Sequence, residues 1–234
     1  MNLPPVITID GPCGSGKGTI SQLLAQKLGW HLLESGALYR VLALASQKNH
    51  IALDDEAALE RLAIDLKVEF RIAAEDGVVQ VFLEGEEITG LIRTEDIGCV
   101  ASKISAFVKV RQALLEMQRE LRQNPGLVAD GRDMGTVVFP DANVKIFLIA
   151  DLEERAKRRQ KQLLENGIDV KLAALIEELA ARDARDQQRT ASPLKPADDA
   201  IVVDTTDLNI EEVVAKIWDI MDFRIKEQGL GIED

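Results

Sequence analysis

The first residues in the chain able to do chemistry are a lysine and a threonine set among glycines, in Gly11-Pro12-Cys13-Gly14-Ser15-Gly16-Lys17-Gly18-Thr19. Glycines at 11, 14, 16 and 18 let the backbone fold back tightly, because a residue without Cβ accepts either sign of φ. A lysine at the end of such a loop adds a full charge where inward-turned N–H groups and the positive end of a helix dipole converge. That chemistry is phosphate binding. The alternative is a glycine-rich turn with no ligand, against which the spacing, the flanking pattern and Lys17 all agree. The general phosphate-loop signature places a hydroxyl directly after the lysine to reach Mg²⁺. Gly18 stands there and Thr19 follows one step later, so ligation of a metal through water by a carboxylate is the expected substitute.

Further cationic residues mark where a second phosphate group could be held. Arg40 follows the turn Glu34-Ser35-Gly36 close to the start of a helix, a favourable place for an anion, although alone it reads better as an ordinary surface arginine. Asp130-Gly131-Arg132-Asp133 directly follows the apolar run Leu127-Val128-Ala129. Ligands of open α/β sheets lie beyond the carboxyl ends of strands, which places this cluster in the cleft of the glycine loop; otherwise it is a polar turn. Arg155, Lys157, Arg158, Arg159 and Lys161 put five cations into seven residues of a chain whose net charge is −12. They are either a solvated helix face or a mobile lid whose guanidinium groups neutralise spreading charge on a triphosphate. Arg182, Arg185 and Arg189 recur at i, i+3 and i+7, on one helix face, with Asp186 four residues after Arg182. Ser102, Lys109 and Arg111 read by themselves as solvated-face residues, and the isolated His31 and His50 as structural.

The elements that must position these groups follow from periodicity. Apolar, β-branched runs predict strands at 6–10, 30–33, 127–130, 144–149 and 200–203, with helices between them. Lys17 opens the first helix, and residues 54–66 form another. Thr94 to Asn124 reads as mostly helical until Pro125-Gly126. Asp151 caps the next helix with Glu154 as its capping-box partner, and further helices span about 170–189 and 209–228. This alternation implies a five-stranded parallel sheet covered on both faces, with the glycine loop central. Residues 68–72 and 79–83 alternate with period two across Asp76-Gly77, a hairpin followed by a second turn at 84–90. A hairpin cannot join a parallel βαβ sheet, so it belongs to an inserted lobe.

Composition narrows the partners. At 234 residues the chain can bury a substantial core, and its acidity argues against a nucleic-acid surface. Cys13 and Cys99 form no disulfide framework or metal quartet. No apolar run reaches the length of a membrane span and no secretory leader pattern opens the chain, so a soluble, cytoplasmic protein is expected. No exposed apolar stripe stands out, which favours a monomer.

The loop form G-x-x-G-x-G-K-G-T is similar to that of small nucleoside monophosphate kinases. Four more stretches sharpen this: ESGALYR at 34–40, LEGEEITGLIRT at 83–94, ADGRDMGTVVFPDA at 129–142 and RDARD at 182–186. With them the chain resembles the bacterial cytidylate kinases over essentially its whole length. The resemblance implies a P-loop fold with a core at 1–35 and 126–234, an acceptor-binding insertion at roughly 36–125 and a short helical lid at roughly 153–186. It implies transfer of phosphate from ATP to CMP or dCMP with Mg²⁺. Lys17 and the amides of residues 11–19 would hold the donor phosphates, with Arg155, Arg158 and Arg159 in the donor lid. Arg40, Arg132 and Arg189 would clamp the acceptor phosphate, Ser102, Arg111 and Asp133 would read the cytosine edge, and Arg182 and Asp186 would meet the ribose. Ser35 and Tyr39 would line the acceptor pocket, and Asp130 would hold Mg²⁺ through water. Glu34 stands where this family is expected to have Asp.

Three other readings share some of these features, one of them a catalytically idle nucleotide-binding module, which would leave the second cationic cluster without purpose. Another small P-loop kinase would have the same loop and lid. A GTP-dependent switch would require a guanine-reading N-K-x-D motif, which is absent from the sequence.

Overall fold

The computed structural model describes residues 3–72, 79–165 and 167–227. The expected Asp76-Gly77 turn and the last residue of the closing helix, Gln228, lie outside them. The chain divides into two compact units, one formed by Met1–Leu33 with Leu121–Asp234, the other by Glu34–Glu120.

The first unit is built on strand β1 (Val6–Asp10), every residue of which is buried. Its neighbours are β2 (His31–Glu34), β6 (Leu127–Gly131), β7 (Val144–Ile149) and β8 (Ile201–Asp204), in the order β2-β6-β1-β7-β8. β1 runs parallel to β6 and β7, and β7 to β8, which places the end of β1 at mid-sheet. Three strands start or stop one residue beyond the spacing-based limits. Helices α1 (Lys17–Leu28), α7 (Leu152–Glu165), α8 (Leu172–Gln188) and α9 (Ile210–Glu227) complete this unit. α1 stops where Gly29 turns left-handed (φ 64°) and its N–H closes on the carbonyls of Ala25 and Gln26, a stop only glycine makes without strain. Ile7, Ile9, Leu24, Val128, Ile146, Leu148, Val203 and Ile217 form one core of this unit. Burying each is worth about 1.5–3 kcal/mol, which holds the sheet and so the loops that leave it. α7 and α8 pack on each other through Ala156, Leu163, Leu175 and Leu179.

The second unit holds α2 (Ser35–Lys48), α3 (Glu56–Ile64), β3 (Val68–Ile72), β4 (Val79–Leu83), β5 (Glu86–Glu87), α4 (Thr89–Ile92), α5 (Glu95–Ile104) and α6 (Val108–Glu120). β3 and β4 pair antiparallel, Val68 opposite Leu83 and Ile72 opposite Val79, as the alternation requires. Of the stretch expected to be a second turn, Glu84-Gly85 does turn, at φ 52° and 87°, and the rest adds β5 to that sheet and starts α4. The long helix expected from Thr94 to Asn124 is two, because the carbonyls of Lys103 and Ile104 take the amides of Ala106 and Phe107 in tight turns that end α5. Between β6 and β7 the described chain also makes one π-helical turn, Met134–Val138, in a stretch with no helical period in its sequence.

Candidate active site

The glycine loop joins β1 to α1. A Cβ on Gly11 would lie 2.2 Å from the Leu148 carbonyl oxygen, so no side chain fits there. Gly16, at φ 90°, caps α1 in a conformation that L side chains resist. The loop's carbonyls are tied down one by one. Pro12 O accepts from Lys17 Nζ at 2.8 Å and Ser15 Oγ at 3.1 Å. Cys13 O accepts from an Arg155 guanidinium N–H at 3.0 Å, and Ser15 O, at 3.3 Å, shares the Thr205 hydroxyl proton with Ile149 O at 3.1 Å. In a trans peptide the C=O and the following N–H point to opposite sides. The amides of Cys13, Gly14 and Gly16 therefore face away from these ties, the disposition an anion needs.

Lys17 is buried, and burial, helped by nearby Arg132 and opposed by Asp130, lowers its ammonium pKa to about 8. Asp130, at the carboxyl end of β6, brings Oδ2 within 3.5 Å of where a Gly18 Cβ would be, at the start of α1. Burial pushes its carboxyl up, against the pull of Lys17 and Arg132. An oxygen donor there suits Mg²⁺, which prefers one or two carboxylates and keeps its waters.

Arg132 donates from Nε to Asp186 at 3.1 Å and from a terminal nitrogen to its neighbour's carbonyl, Gly131 O. Asp186 also lies 3.6 Å from Arg189. Burial opposes its charge, yet Arg132, Arg189 and Arg182 together hold the carboxylate below its ordinary range. Arg182 Nε is buried with no hydrogen-bond partner among the described residues. Arg132, Arg182 and Arg189 thus converge on one acid. Arg185, expected on the same face, is exposed instead: its place on the helix turns it outward.

The cations of α7 divide their tasks. Arg155 is buried, spanning Ala150 O at 3.0 Å, Cys13 O and the Asp183 carboxylate at 2.7 Å. Arg158 reaches Glu154 at 3.1 Å, the Thr205 hydroxyl at 3.2 Å and Thr205 O at 2.6 Å. Lys157 is exposed and pairs with Glu153 at 2.8 Å. The capping box expected at this helix does not form. Asp151 caps by accepting from Glu153 N at 2.8 Å, but Glu154 turns to Arg158, and Asp151 N goes to the Thr206 hydroxyl at 3.0 Å. Gly16, Thr19, Arg158, Arg159, Asp207 and Asn209 are among the residues that line a cleft of about 1000 Å³, ample for a nucleoside beside the loop.

In the second unit Arg40 donates to Ile92 O at 2.8 Å and Thr94 O at 3.0 Å. Its guanidinium lies on Gly98, where a Cβ would come within 2.7 Å of a terminal nitrogen. Ser35 opens α2 and is buried, as is Tyr39, whose ring centre is 5.4 Å from the Arg111 guanidinium carbon. Ser102 and Arg111, solvated-face residues on spacing alone, are buried. Arg111 donates to Ser105 O at 3.1 Å, and the Ser102 hydroxyl has no hydrogen-bond partner among the described residues. Such an orphaned group is one that a ligand could satisfy. Lys109 stays at the surface, 3.8 Å from Glu60.

Residues 7–222 match the cytidylate kinase family. The chain belongs to that family. The cytidylate kinase of Aeromonas salmonicida is 59% identical over 229 residues, covering 98% of this chain and 96% of the relative. That of Klebsiella pneumoniae is 56% identical over 212 residues, covering 91% and 92%. Membership of the cytidylate kinases makes the chain a nucleotide-binding phosphotransferase. Among the described residues no helix is long and apolar enough to cross a membrane.

Sequence reasoning missed three residues that shape the candidate site: Thr205 and Asp183, which hold the loop and its arginine, and Asp10. Asp10 is buried at the end of β1 and accepts the amides of Met134 at 2.9 Å and Gly135 at 2.8 Å. Burial pushes its pKa up to about 7, with Asp133 and Asp130 adding to the rise and the two amides opposing it. The signal was an acid closing an otherwise uncharged, fully buried strand.

Proposed function

We propose that this cytidylate kinase transfers the γ-phosphoryl group of ATP to CMP or dCMP, giving ADP and CDP or dCDP. The observation that supports this best is the pair of cationic devices in one unit: the loop with Lys17, and the arginine set around Asp186. The glycine-loop amides receive the donor β- and γ-phosphates, and Lys17 exchanges Pro12 O for them. Asp130 would hold Mg²⁺ through water, and the ion when bound neutralises charge on the donor phosphates. The nucleoside of the donor occupies the cleft lined by Arg158 and Asp207. Arg132 and Arg189 grip the acceptor phosphate, Asp133 reads its base, and Arg182 with Asp186 meets its ribose. In the second unit the family resemblance assigns acceptor roles to Ser35, Tyr39, Arg40, Ser102 and Arg111.

An acceptor phosphate oxygen attacks the γ-phosphorus, the bond to the β–γ bridging oxygen breaks, and that electron pair leaves with ADP. The acceptor is anionic at neutral pH, so no general base is needed; alignment and charge neutralisation carry the rate. ADP formation measured with CMP, dCMP, UMP, AMP and GMP tests the reading. CMP and dCMP should give the highest kcat/KM; AMP or GMP equalling them would overturn it.

A further inference from the structure

Asp10 precedes Gly11 directly, yet its carboxylate serves another loop. Both oxygens are used on backbone, Oδ1 on Met134 N at 2.9 Å and Oδ2 on Gly135 N at 2.8 Å. Those amides open the π-helical turn that follows Arg132 and Asp133. The pairing of β1 with β6 sets Asp10 opposite Gly131, so the chain leaves β6 for Arg132 beside this carboxylate. Asp133 is 3% exposed, and Gly135 is confined from behind, a Cβ there falling 2.9 Å from Thr8 Oγ1 and 3.2 Å from Lys145 Cδ. A buried charge is costly unless it is hydrogen-bonded. An amide or hydroxyl side chain offers one acceptor atom, whereas a carboxyl group offers two and accepts from both amides at once.

We infer that Asp10 is a positioning residue for the acceptor. It sets Arg132 and Asp133 at a fixed offset from the glycine loop, because one strand end carries both the loop and the carboxylate that locates them. This rests on the acceptor roles proposed for Arg132 and Asp133. It extends them by naming what places those side chains.

Asp10→Asn is the test. The amide side chain accepts from one N–H and turns its own N–H toward the other. The acceptor KM should rise about tenfold or more, and the kcat/KM preference for CMP over UMP should fall, while the KM for ATP stays within about threefold. Lost stability alone cannot change that preference, because unfolded molecules turn over neither substrate. An Asp10→Asn enzyme that keeps the wild-type acceptor KM and preference, with only its unfolding temperature lowered, overturns the inference. Asp10→Glu, which keeps both acceptor oxygens one methylene further out, is read in the same way. If neither variant folds, amide exchange in the wild-type enzyme decides: slow exchange at Met134 and Gly135 supports the anchor, and exchange at loop rates overturns it. Arg132→Ala and Asp133→Ala separate this inference from the reading beneath it. If they leave the acceptor KM unchanged, the acceptor roles fail; if they raise it and Asp10→Asn does not, only the inference does.

Discussion

Two loops leave the same end of the central sheet, and opposite backbone groups anchor them. The glycine loop is held through its carbonyls, at Pro12, Cys13 and Ser15, by Lys17, Arg155 and Thr205. The loop after β6 is held through its amides, at Met134 and Gly135, by Asp10. The anchored group decides what remains for a ligand. Tying carbonyls leaves a concave row of N–H groups, which suits the featureless charge of a phosphate chain. Tying amides removes the backbone donors that an anion would use and makes side chains, here Arg132 and Asp133, the presenting surface. Side chains carry shape and selectivity that amides do not. On this view the first loop serves a donor judged by its phosphates and the second an acceptor judged by its base.

The largest effects should come from removing the charge that each loop presents. Lys17→Ala should lower kcat by about 10²–10³-fold, the usual cost of deleting a preorganised group that meets transition-state charge. Its fold should survive, since a buried and partly desolvated ammonium is no asset to the ligand-free protein. Steady-state rates and an unfolding curve check both halves. Arg132→Ala should come next, with kcat/KM for CMP down about 10²-fold. It should also lose stability, because the buried Asp186 then relies on Arg189 and Arg182 alone. If Arg132→Ala changed the KM for ATP as much as that for CMP, the division of labour between the loops would be wrong.

The two loops also differ in how far the amino-acid sequence by itself makes them legible. The glycine loop is a local object: strand, glycines, lysine and helix start lie within 6–28, and periodicity with φ preference suffices to place them. The π-helical turn at 134–138 depends on a carboxylate more than a hundred residues earlier, and no local pattern encodes it. The same distinction runs through the rest of the chain. The alternation at 68–72 and 79–83 is local, and it marks both strands and the apolar residues that share a face, Val68, Phe70 and Ile72 opposite Leu83, Val81 and Val79. The break between α5 and α6 contains no Gly or Pro, only Ser105, Ala106 and Phe107, so nothing announces it. Five cations on α7 are visible in the sequence, but their partners are not. Arg155 and Arg158 find carbonyls and acids brought in by β1, α8 and β8, and Glu154 leaves its capping place for Arg158.

Arg155 therefore offers a smaller and sharper test. Arg155→Ala unties Cys13 O and leaves the Asp183 carboxylate without its 2.7 Å partner. If the arginine shapes the glycine loop, the KM for ATP should rise about tenfold while the KM for CMP stays near wild type, a loss comparable to one charge-assisted hydrogen bond. Thr205→Val removes the bond to Ser15 O and should move the ATP KM in the same direction by less. Equal effects on the two substrates would mean that α7 and α8 act on both loops at once, and would blur the contrast.

The smallest expected effect concerns protons. Lys17 has a pKa of about 8 in the ligand-free enzyme, lowered chiefly by burial, so near pH 8 about half of the molecules carry it neutral. A triphosphate against the ammonium favours the charged form and returns the pKa toward its usual value. ATP binding at pH 8 should then take up about half a proton at this site, falling toward zero by about pH 6.5, where the lysine is already charged. Titration calorimetry in buffers of different ionisation enthalpy reads this directly, and Lys17→Arg supplies the reference. An arginine stays protonated throughout, while protons exchanged by ATP itself and by neighbouring carboxyls are common to both proteins. The wild-type excess over Lys17→Arg should grow between about pH 7 and 8.5 when ATP is added and be absent when CMP is added alone. A comparable excess with CMP would place the acceptor phosphate on Lys17, and the two loops would then share one anion rather than divide two.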